Sequence, residues 1–489
     1  AMAKLAIQER YGLAEGERIW ASWRQENNPE AATTVHDGRA FPYSAAPANP
    51  VAVAMPDPGS VTPQQLVFDP TGSAASTSAA AGKVAGKSTV DKDPDPRGGA
   101  PGLDAARGIF DDGVLPADLL DDRHGMSNAL VVSGAHTDDG HPIAVFGPQT
   151  GYFAPQLLML QELQGPGISA RGASFAGVSF YVLLGRGQDY AWSATSASQD
   201  VIDTYAVALC EPSGQPATKD SNSYLFRGEC VPMRTVERRN EWAPTLADTT
   251  PAGSYRLVSF RTEYGPVTHR GTVEGSPVAF TTHRSSFQHE IDSIIGFQMF
   301  NDPDAIRSAS DFQLAAQRVN FTFNWFYADS RDTAYYNSGA NPVRPSDVDP
   351  NLPIAAVPET EWADWDVATN TASYTPPDQH PNSINQDYYA DWNGKQAPGY
   401  TAPDFDKGPV HRQNLLDSRI TSLIQSGTKI SRVSLIRAMA DAAQADLRGE
   451  WVLPDLLRVI DTAPVTDPAL AAAVANLRDW LAHGTQRQE

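Results

Sequence analysis

The amino-acid sequence predicts an α+β protein in which a strand-rich body is followed by helices. The chain has 489 residues, and 41% of them are apolar, which is enough to form a large buried core. Between residues 127 and 338, runs rich in Val, Tyr, Phe and Thr are separated by turn signals, as in strands. From residue 411 onward, apolar residues recur with helical spacing. Strands grouped before helices favour α+β over an alternating α/β fold.

The first part of the chain predicts helices and then a connector. Residues 2–27 carry an apolar stripe that predicts one or two helices, broken near Gly12 and Gly16. From 47 to 123 the composition is dominated by Ala, Ser, Gly, Pro and Asp, as in "TGSAASTSAAAGKVAGKSTVDKDPDPRGGAPG". Such a segment cannot bury enough apolar surface to offset its chain entropy, so we expect a flexible or excisable connector. The "GKVAGKST" inside it is not a phosphate loop, because its spacing is one residue short and no apolar strand precedes it.

The body after the connector begins with a predicted hairpin. "NALVVSGAH" and "HPIAVFGP" flank the turn signal "TDDG", and the first strand starts directly after Ser127. A helix is predicted over 303–319, with Pro303 in its first turn. Further predicted strands are "DYAWSATSA", "VIDTYAVAL", "YRLVSFRTEYG", "SPVAFTTHRS" and the pair "NFTFNWFYAD" and "TAYYNSG"; the predicted C-terminal helices are "HRQNLLDSRITSLIQ", "SRVSLIRAMADAAQADL", "VLPDLLRVI" and "DPALAAAVANLRDWLAHG".

Charge and cysteine content exclude some classes of protein. The formal net charge of −21 opposes binding to a nucleic-acid backbone or an anionic membrane surface. No run of about 18 uncharged apolar residues predicts a membrane span. Cys210 and Cys230 flank an apparent hairpin and lack His neighbours at metal-ligand spacing. They are either a disulfide in an exported protein or two separate buried thiols.

The position of Ser127 suggests a chemistry that needs no histidine. A free hydroxyl is a weak nucleophile and requires a base, yet the chain has no "GxSxG" or "HExxH" pattern. If the peptide bond before Ser127 is cut, the new α-amino group, whose pKa lies near neutrality, can act as the base for the hydroxyl of the same residue. The alternative is that Ser127 is an ordinary strand residue.

Several dispersed motifs resemble one known family. The run "SNALVV…GHPIAVFGPQTGYFAP", followed by "AWSATSASQDVID", "FNWFYAD", "NPVR" and "DWNGK", is similar to the β chain of the penicillin acylase family of N-terminal nucleophile hydrolases. "NPEAATTV" is similar to the end of that family's α chain. The resemblance implies a four-layer αββα sandwich with a C-terminal helical region. It divides the chain into an α-chain remnant (1–46), a spacer (47–126), a nucleophile-hydrolase core (127–404) and a helical region (405–489), and implies that most of the α chain and part of the β chain are missing.

The resemblance also assigns candidate catalytic residues. Ser127 is the nucleophile, exposed when it attacks the carbonyl of Met126. The backbone carbonyl of Gln149 orients the serine amine. The backbone N–H of Ser196 and the side-chain amide of Asn324 form the oxyanion hole, and Arg344 supports it. Taken without the resemblance, Asn324 reads as a turn residue and Arg344 as a partner of Asp347.

A calcium ion is the family's usual structural metal. By resemblance, Asp200 and Asp203 supply carboxylate ligands and Ile202 supplies a carbonyl, and such oxygen ligands suit a hard cation. The alternative is that both aspartates are solvated loop acids. No organic cofactor is implied.

The expected function is that of an exported acylase, periplasmic or extracellular, assembled as an α/β heterodimer from one precursor. It would hydrolyse a linear carboxamide with an apolar acyl group, such as the side chain of penicillin, as its small-molecule partner. Gln149 favours this branch over acyl-homoserine lactone acylases, while Thr150 departs from the phenylacetyl-specific pattern. Tyr152, Phe153 and Phe180 are candidate acyl-site residues. The alternatives are a secreted, sheet-rich binding module without catalysis or an acyl-homoserine lactone acylase.

Overall fold

The computed structural model describes residues 2–23, 31–64, 67–68, 127–149, 156–177, 180–249, 251–400 and 410–487. Helices α1 (Met2–Tyr11) and α2 (Leu13–Trp23) confirm the predicted N-terminal helices. The break between them falls at Gly12, which has a φ of +81°, whereas Gly16 lies inside α2. A left-handed φ favours glycine because it has no Cβ.

The described strands follow in chain order. They are β1 (Thr62–Pro63), β2 (Val67–Phe68), β3 (Asn128–Val132), β4 (Ile143–Gly147), β5 (Leu158–Gly165), β6 (Ile168–Phe175), β7 (Leu184–Arg186), β8 (Tyr190–Ser196), β9 (Ile202–Cys210), β10 (Ser223–Phe226), β11 (Glu229–Pro232), β12 (Arg234–Trp242), β13 (Gly253–Thr262), β14 (Gly265–Val273), β15 (Ser276–Arg284), β16 (Phe323–Asp329), β17 (Thr333–Ser338), β18 (Ile354–Ala355), β19 (Asn382–Ile384) and β20 (Tyr388–Asp391).

The remaining helices lie between β15 and β16 and at the C-terminal end. They are α3 (Ile294–Asn301), α4 (Ala309–Ala316), α5 (Gln413–Gln425), α6 (Arg432–Gln444), α7 (Leu447–Trp451), α8 (Leu453–Ile460) and α9 (Pro468–Ala482). Helices α5, α6, α8 and α9 match the predicted C-terminal helices, whereas α7 was not predicted. None of the helices in the described ranges combines the length and the apolar character needed to cross a membrane.

The strands of the described residues form three sheets. The largest runs β11-β10-β9-β15-β14-β13-β12, and in addition β1 pairs with β14, β2 with β13 and β18 with β9. The second runs β19-β17-β16-β8-β7-β6-β5. The third, β20-β3-β4, holds the strand that follows Ser127 at its centre. Both neighbours of β3 are antiparallel to it.

The second and third sheets stack between two helical layers. All five residues of β3 are buried, because both of its faces are covered. Leu130 and Val132 pack with Leu416 and Ile420 of α5. Residues Ala129 and Val131 instead pack against aromatic rings of β16 and β17, and α3 and α4 cover the far face of that sheet. The order is therefore helix, sheet, sheet, helix, which confirms the four-layer αββα prediction.

The predicted helix over 303–319 is wrong at its start. Residues 302–307 form turns, and α4 begins after Ser308, whose hydroxyl accepts a hydrogen bond from the Asp311 N–H. Serine with Asp three residues later is an N-cap signal that competes with Pro303. The sequence-based prediction also missed α3, because "SIIGFQMF" has no polar face and is typical of a buried segment.

Part of the predicted flexible connector is paired with the core. Residues 47–64 and 67–68 are among those the structure describes, and β1 and β2 pair with β14 and β13. The prediction of an unstructured connector over all of 47–126 is therefore wrong for these residues, while 69–126 lie outside the described part of the chain. Two-residue strands carry too little pattern to be recognised in a sequence.

Cys210 and Cys230 form a disulfide, which decides between the two alternatives. Cys210 at the end of β9 lies opposite Ser223, and Cys230 of β11 lies opposite Leu225. The bond thus links β9 and β11 across the intervening strand β10, at the edge of the largest sheet.

Candidate active site

Ser127 stands at the head of the central strand β3 and is 9% exposed. The backbone N–H of Gln149 donates to its Oγ at 3.1 Å, and the hydroxyl lies 3.4 Å from the Gln149 carbonyl oxygen. The structure therefore brings these two predicted site residues together. The hydrogen bonds engage the serine hydroxyl, whereas the prediction concerned the serine amine.

A glycine fixes the approach of Gln149 to Ser127. Asn128 pairs with Gly147 in the β3–β4 register, and a Cβ at position 147 would lie 2.2 Å from Asn128 Oδ1. The buried carboxamide of Asn128 thus covers the Cα of Gly147. Since Gln149 follows two residues later, this contact sets the position of its backbone beside the serine.

The two predicted oxyanion-hole residues lie on neighbouring strands. Ser196 ends β8 opposite Phe323, and Asn324 of β16 lies opposite Thr195. The Asn393 side-chain amide donates to the Ser196 carbonyl oxygen at 2.8 Å, which anchors the end of β8. The strand register therefore places both residues at the same end of the second sheet.

A buried carboxylate, Asp391, connects these strands to the sheet of Ser127. Asp391 lies opposite Ala129, two residues after Ser127. Its Oδ2 accepts from the Thr195 hydroxyl at 2.5 Å, and its Oδ1 lies 3.5 Å from Asn324 Nδ2. Asp391 is fully buried, and this burial raises the pKa of its carboxyl. Asp391 therefore joins the second and third sheets at the candidate site.

The orientation of the Asn324 amide is fixed from its oxygen side. The Tyr335 hydroxyl donates to Asn324 Oδ1 at 2.7 Å, and Asn337 Nδ2 donates to the same oxygen at 3.0 Å. Asn324 Nδ2 donates to Thr195 Oγ1 at 3.1 Å. Because both donors bind Oδ1, the amide cannot be flipped, and its N–H groups point toward the strand of Thr195.

These contacts continue into a buried polar chain. The Tyr400 hydroxyl donates to Asn337 Oδ1 at 2.7 Å and accepts from Asn341 Nδ2 at 2.7 Å. Gln199 Nε2 lies 3.3 Å from Asn341 Oδ1. Burying polar groups without hydrogen-bond partners costs free energy. These hydrogen bonds therefore favour one arrangement of the residues around Asn324.

Arg344 lies apart from Asn324 and binds two predicted calcium ligands. Its Nε donates to Asp203 Oδ2 at 2.9 Å, and its Nη2 donates to the Asp200 carbonyl at 2.9 Å. Its Nη1 donates to the hydroxyls of Ser44 at 2.8 Å and Tyr43 at 3.1 Å. Burial disfavours the charged guanidinium, but Asp203, Tyr43 and Asp200 together outweigh this effect and raise the pKa of Arg344 well above its usual range.

The carboxylate of Asp203 does not fit the predicted calcium site. Asp203 is fully buried, and its Oδ2 accepts from the Trp362 indole at 2.6 Å as well as from Arg344. Its Oδ1 lies 3.1 Å from the same Arg344 nitrogen. The Arg344 guanidinium already compensates the negative charge of Asp203, which would otherwise attract a calcium ion. Among the described residues, no cluster of three or more His, Cys, Asp or Glu side chains could hold a metal ion.

Some of the neighbouring groups were absent from the sequence-based prediction. Asp391 belongs to the "DWNGK" motif but received no role, and Thr195 and Tyr335 were not singled out. A signal for Asp391 exists, because a carboxylate after the apolar run "YYA" predicts a buried acid that needs a partner. The predicted acyl-site residues Tyr152 and Phe153, with Thr150, lie outside the described residues, while Phe180 is 70% exposed.

Residues 3–489 match the sequence model of one family, described as penicillin amidase. The chain belongs to the penicillin amidase family. Among curated proteins, penicillin G acylase from Escherichia coli is 24% identical over 353 residues, which are 70% of this chain and 37% of that protein. This penicillin amidase family chain therefore spans little more than a third of the length of that relative.

The structural comparison supports the same fold. A thermostable penicillin G acylase from Alcaligenes faecalis matches with a TM-score of 0.59 at 22% identity, covering 74% of this chain and 60% of that one. The order of layers in this family member is thus shared with a solved acylase, and the predicted N-terminal nucleophile hydrolase fold is confirmed.

Proposed function

We propose that the chain is part of an acylase that hydrolyses linear carboxamides through Ser127 after self-cleavage before that residue. One observation carries the proposal. Ser127 heads the central strand of a four-layer fold, with its Oγ bonded to the Gln149 backbone and the buried Asp391–Asn324 pair beside its strand. Family membership supports amide hydrolysis as the reaction class.

The first step is the exposure of the serine. The Ser127 Oγ attacks the carbonyl carbon of Met126, and the peptide bond shifts to an ester as nitrogen leaves. Water then hydrolyses the ester, leaving a carboxylate on Met126 and a free α-amino group on Ser127, so one water is consumed. The Gln149 N–H that holds Oγ keeps the nucleophile in a fixed direction.

In turnover the same residue supplies both nucleophile and base. An α-amino group has an ordinary pKa near 8, so it can take the hydroxyl proton at neutral pH. Oγ then attacks the substrate carbonyl, the amine product leaves with the proton, and water releases the acid from the acyl-enzyme. No other base is required.

The developing oxyanion needs preorganised donors. The Ser196 N–H and the Asn324 amide are proposed for this role, because the strand register places them together and Tyr335 fixes the amide direction. The 3.5 Å separation between Asn324 Nδ2 and Asp391 is long for a hydrogen bond, which leaves an N–H for the oxyanion. One such donor contributes about 3–4 kcal/mol to transition-state stabilisation.

The substrate, assembly and location are further parts of this proposal. The substrate is a small N-acyl amide with an apolar acyl group, such as the side chain of penicillin, in keeping with the name penicillin G acylase that both relatives above carry. The mature form is an α/β heterodimer cut from one precursor. The disulfide between Cys210 and Cys230 supports an oxidising location, periplasmic or extracellular.

Intact mass and N-terminal sequencing of the purified protein test the proposal, with Ser127→Ala and Ser127→Cys as variants. We expect a fragment starting Ser-Asn-Ala-Leu in the wild type and none in Ser127→Ala. Hydrolysis of N-acyl p-nitroanilides of increasing chain length should be found only in samples that contain this fragment. An uncut wild-type chain without amidase activity would instead favour a binding module.

A further inference from the structure

Residues 51–64 and 67–68, here called the strap, lie in the predicted spacer yet complete the largest sheet. Strands β13 and β14 pair only near their connecting turn, at Arg261–Pro266 and Thr262–Gly265, and then diverge. The strap enters this gap: β1 pairs with β14 and β2 pairs with β13. Without the strap, both strands would present unpaired edges at these positions, which sheets normally avoid.

One carboxylate of the strap fastens it to the β14–β15 turn. Asp57 Oδ2 accepts from the Thr272 hydroxyl at 2.5 Å and from the Gly275 N–H at 2.9 Å, and Oδ1 accepts from the Glu274 N–H at 3.0 Å. These bonds, the Thr272 hydroxyl first, lower the pKa of Asp57. The Asp57 N–H also donates to the Thr272 carbonyl at 2.8 Å. Among the described residues, the strap alone satisfies these donors of the turn.

A second anchor forms at Arg270. Its Nε donates to Gln64 Oε1 at 2.5 Å, while its Nη1 donates to the carbonyl oxygens of Lys219 and Ser221 at 2.7 and 2.6 Å. The Lys219 ammonium donates to the Ser60 carbonyl at 3.1 Å. Since Arg270 is held by the core on one side, the strap binds to a preformed group.

The strap also contributes apolar packing. Ala54 is 4% exposed and lies in a cluster with Val278 and Phe280, to which Val61 adds. Val53 and Met55 pack against Ile7 and Trp20 of the N-terminal helices. The strap thus joins the upstream helices to the nucleophile core and buries side chains on both.

We propose that the strap remains with the upstream fragment in the mature protein, so the cut that removes the spacer lies between Phe68 and Ser127. This inference rests on the proposed self-cleavage at Ser127 and moves the end of the α chain from residue 46 to position 68 or beyond. The second cut is the hydrolysis of one peptide bond by one water. A protease acts on a chain that is locally unpaired, so the paired strap is protected.

The first test is the mass of the upstream fragment from the mature protein under denaturing conditions, with its C-terminus identified by peptide mapping. A C-terminus at residue 68 or later is expected. A C-terminus before residue 68 would overturn the inference, while the Ser-Asn-Ala-Leu fragment independently reports whether cleavage at Ser127 occurs.

The second test does not depend on maturation. In uncut Ser127→Ala, limited digestion with proteinase K should cut first between residues 69 and 126 and leave 51–68 intact. Early cuts within 51–68 would contradict the inference. Asp57→Ala should accelerate cleavage within the strap about tenfold, since three hydrogen bonds are lost. Asp461→Ala, which removes a surface partner of Arg478, is the matched control and should leave the pattern unchanged.

Discussion

The hydroxyl of Thr195 donates to Asp391 at 2.5 Å, and both residues are shielded from solvent. This bond joins the strand that ends in Ser196 to the strand that pairs beside Ser127. A charged oxygen accepting from a hydroxyl in a buried setting forms a short, strong hydrogen bond. The pair therefore holds the two inner sheets in register at the candidate site.

Asp391→Asn should change the pH dependence of stability. The folded-state pKa of Asp391 lies above its ordinary value of 3.8, so the cost of burying the charge is absent below about pH 3.8 and complete above the raised pKa. Relative to the wild type, the variant should therefore gain free energy of unfolding as pH rises through that pKa. Urea denaturation from pH 3 to 8 measures this difference.

The same variant should lose amidase activity at least about tenfold, because the orientation of Thr195 and Asn324 is disturbed. The exposed Asp461→Asn serves as a control for both measurements. A stability difference that is the same at every pH would contradict the assigned role of the buried charge.

Gly147→Ala should impair the self-cleavage that we propose for the exposure of Ser127. The new Cβ would overlap Asn128 Oδ1, which lies at 2.2 Å, and would push β4 and Gln149 away from the serine. We expect cleavage to slow about tenfold or more, measured by the appearance of the Ser127 fragment over time.

The matched control is Gly165→Ala in the β5–β6 hairpin, where the nearest atom lies 3.5 Å from the added Cβ. The double variant Asn128→Ala with Gly147→Ala should regain part of the lost rate because it makes room. Equal rates for Gly147→Ala and the wild type would show that the contact does not position Gln149.

Thermal stability should be independent of calcium. Arg344 neutralises the charge of Asp203 in this structure. Addition of millimolar calcium or of a chelator should therefore change the melting temperature, measured by calorimetry, by no more than about 1 °C. Arg344→Gln should instead lower the free energy of unfolding by about 3–5 kcal/mol, because it leaves a buried carboxylate unpaired. If calcium raised the melting temperature of the wild type by several degrees, the result would support the predicted calcium site instead. Arg478→Gln, at an exposed ion pair, is the control.

His380 should make the fold sensitive to mild acid. Burial lowers the pKa of His380 to about 4, and its Nδ1 lies 3.0 Å from the Asn337 carbonyl. A depressed pKa provides stability above the ordinary value of 6.5 that is lost as pH falls toward 4, up to about 3 kcal/mol. In His380→Gln, the free energy of unfolding from denaturation curves should fall less between pH 7 and 4 than in the wild type. Exposed His483→Gln should not change the slope.

The sequence predicted elements with a strong local pattern and missed those set by tertiary contacts. The hairpin of β3 and β4 was predictable because apolar runs flank an Asp-Gly turn. Strands β1 and β2 were not, because two residues form a strand only where a partner edge exists. The proximity of Ser127 and Gln149 was predictable because their motifs are close in sequence. The partners of Arg344 were not, since Tyr43 lies 301 residues from it and only the fold brings them together.

The central position of β3 also sets the order of events during synthesis. Ala129 pairs with Asp391, so the strand that follows Ser127 gains its second neighbour only after 262 further residues have been made, 391 minus 129. At translation rates of 5–20 residues per second, that takes roughly 10 to 50 s. The nascent chain therefore carries Ser127 in an unfinished sheet throughout this interval. If the self-cleavage proposed at Ser127 requires the complete sheet, it would wait for the arrival of β20, and a growing chain would not be cut before its two halves can hold together.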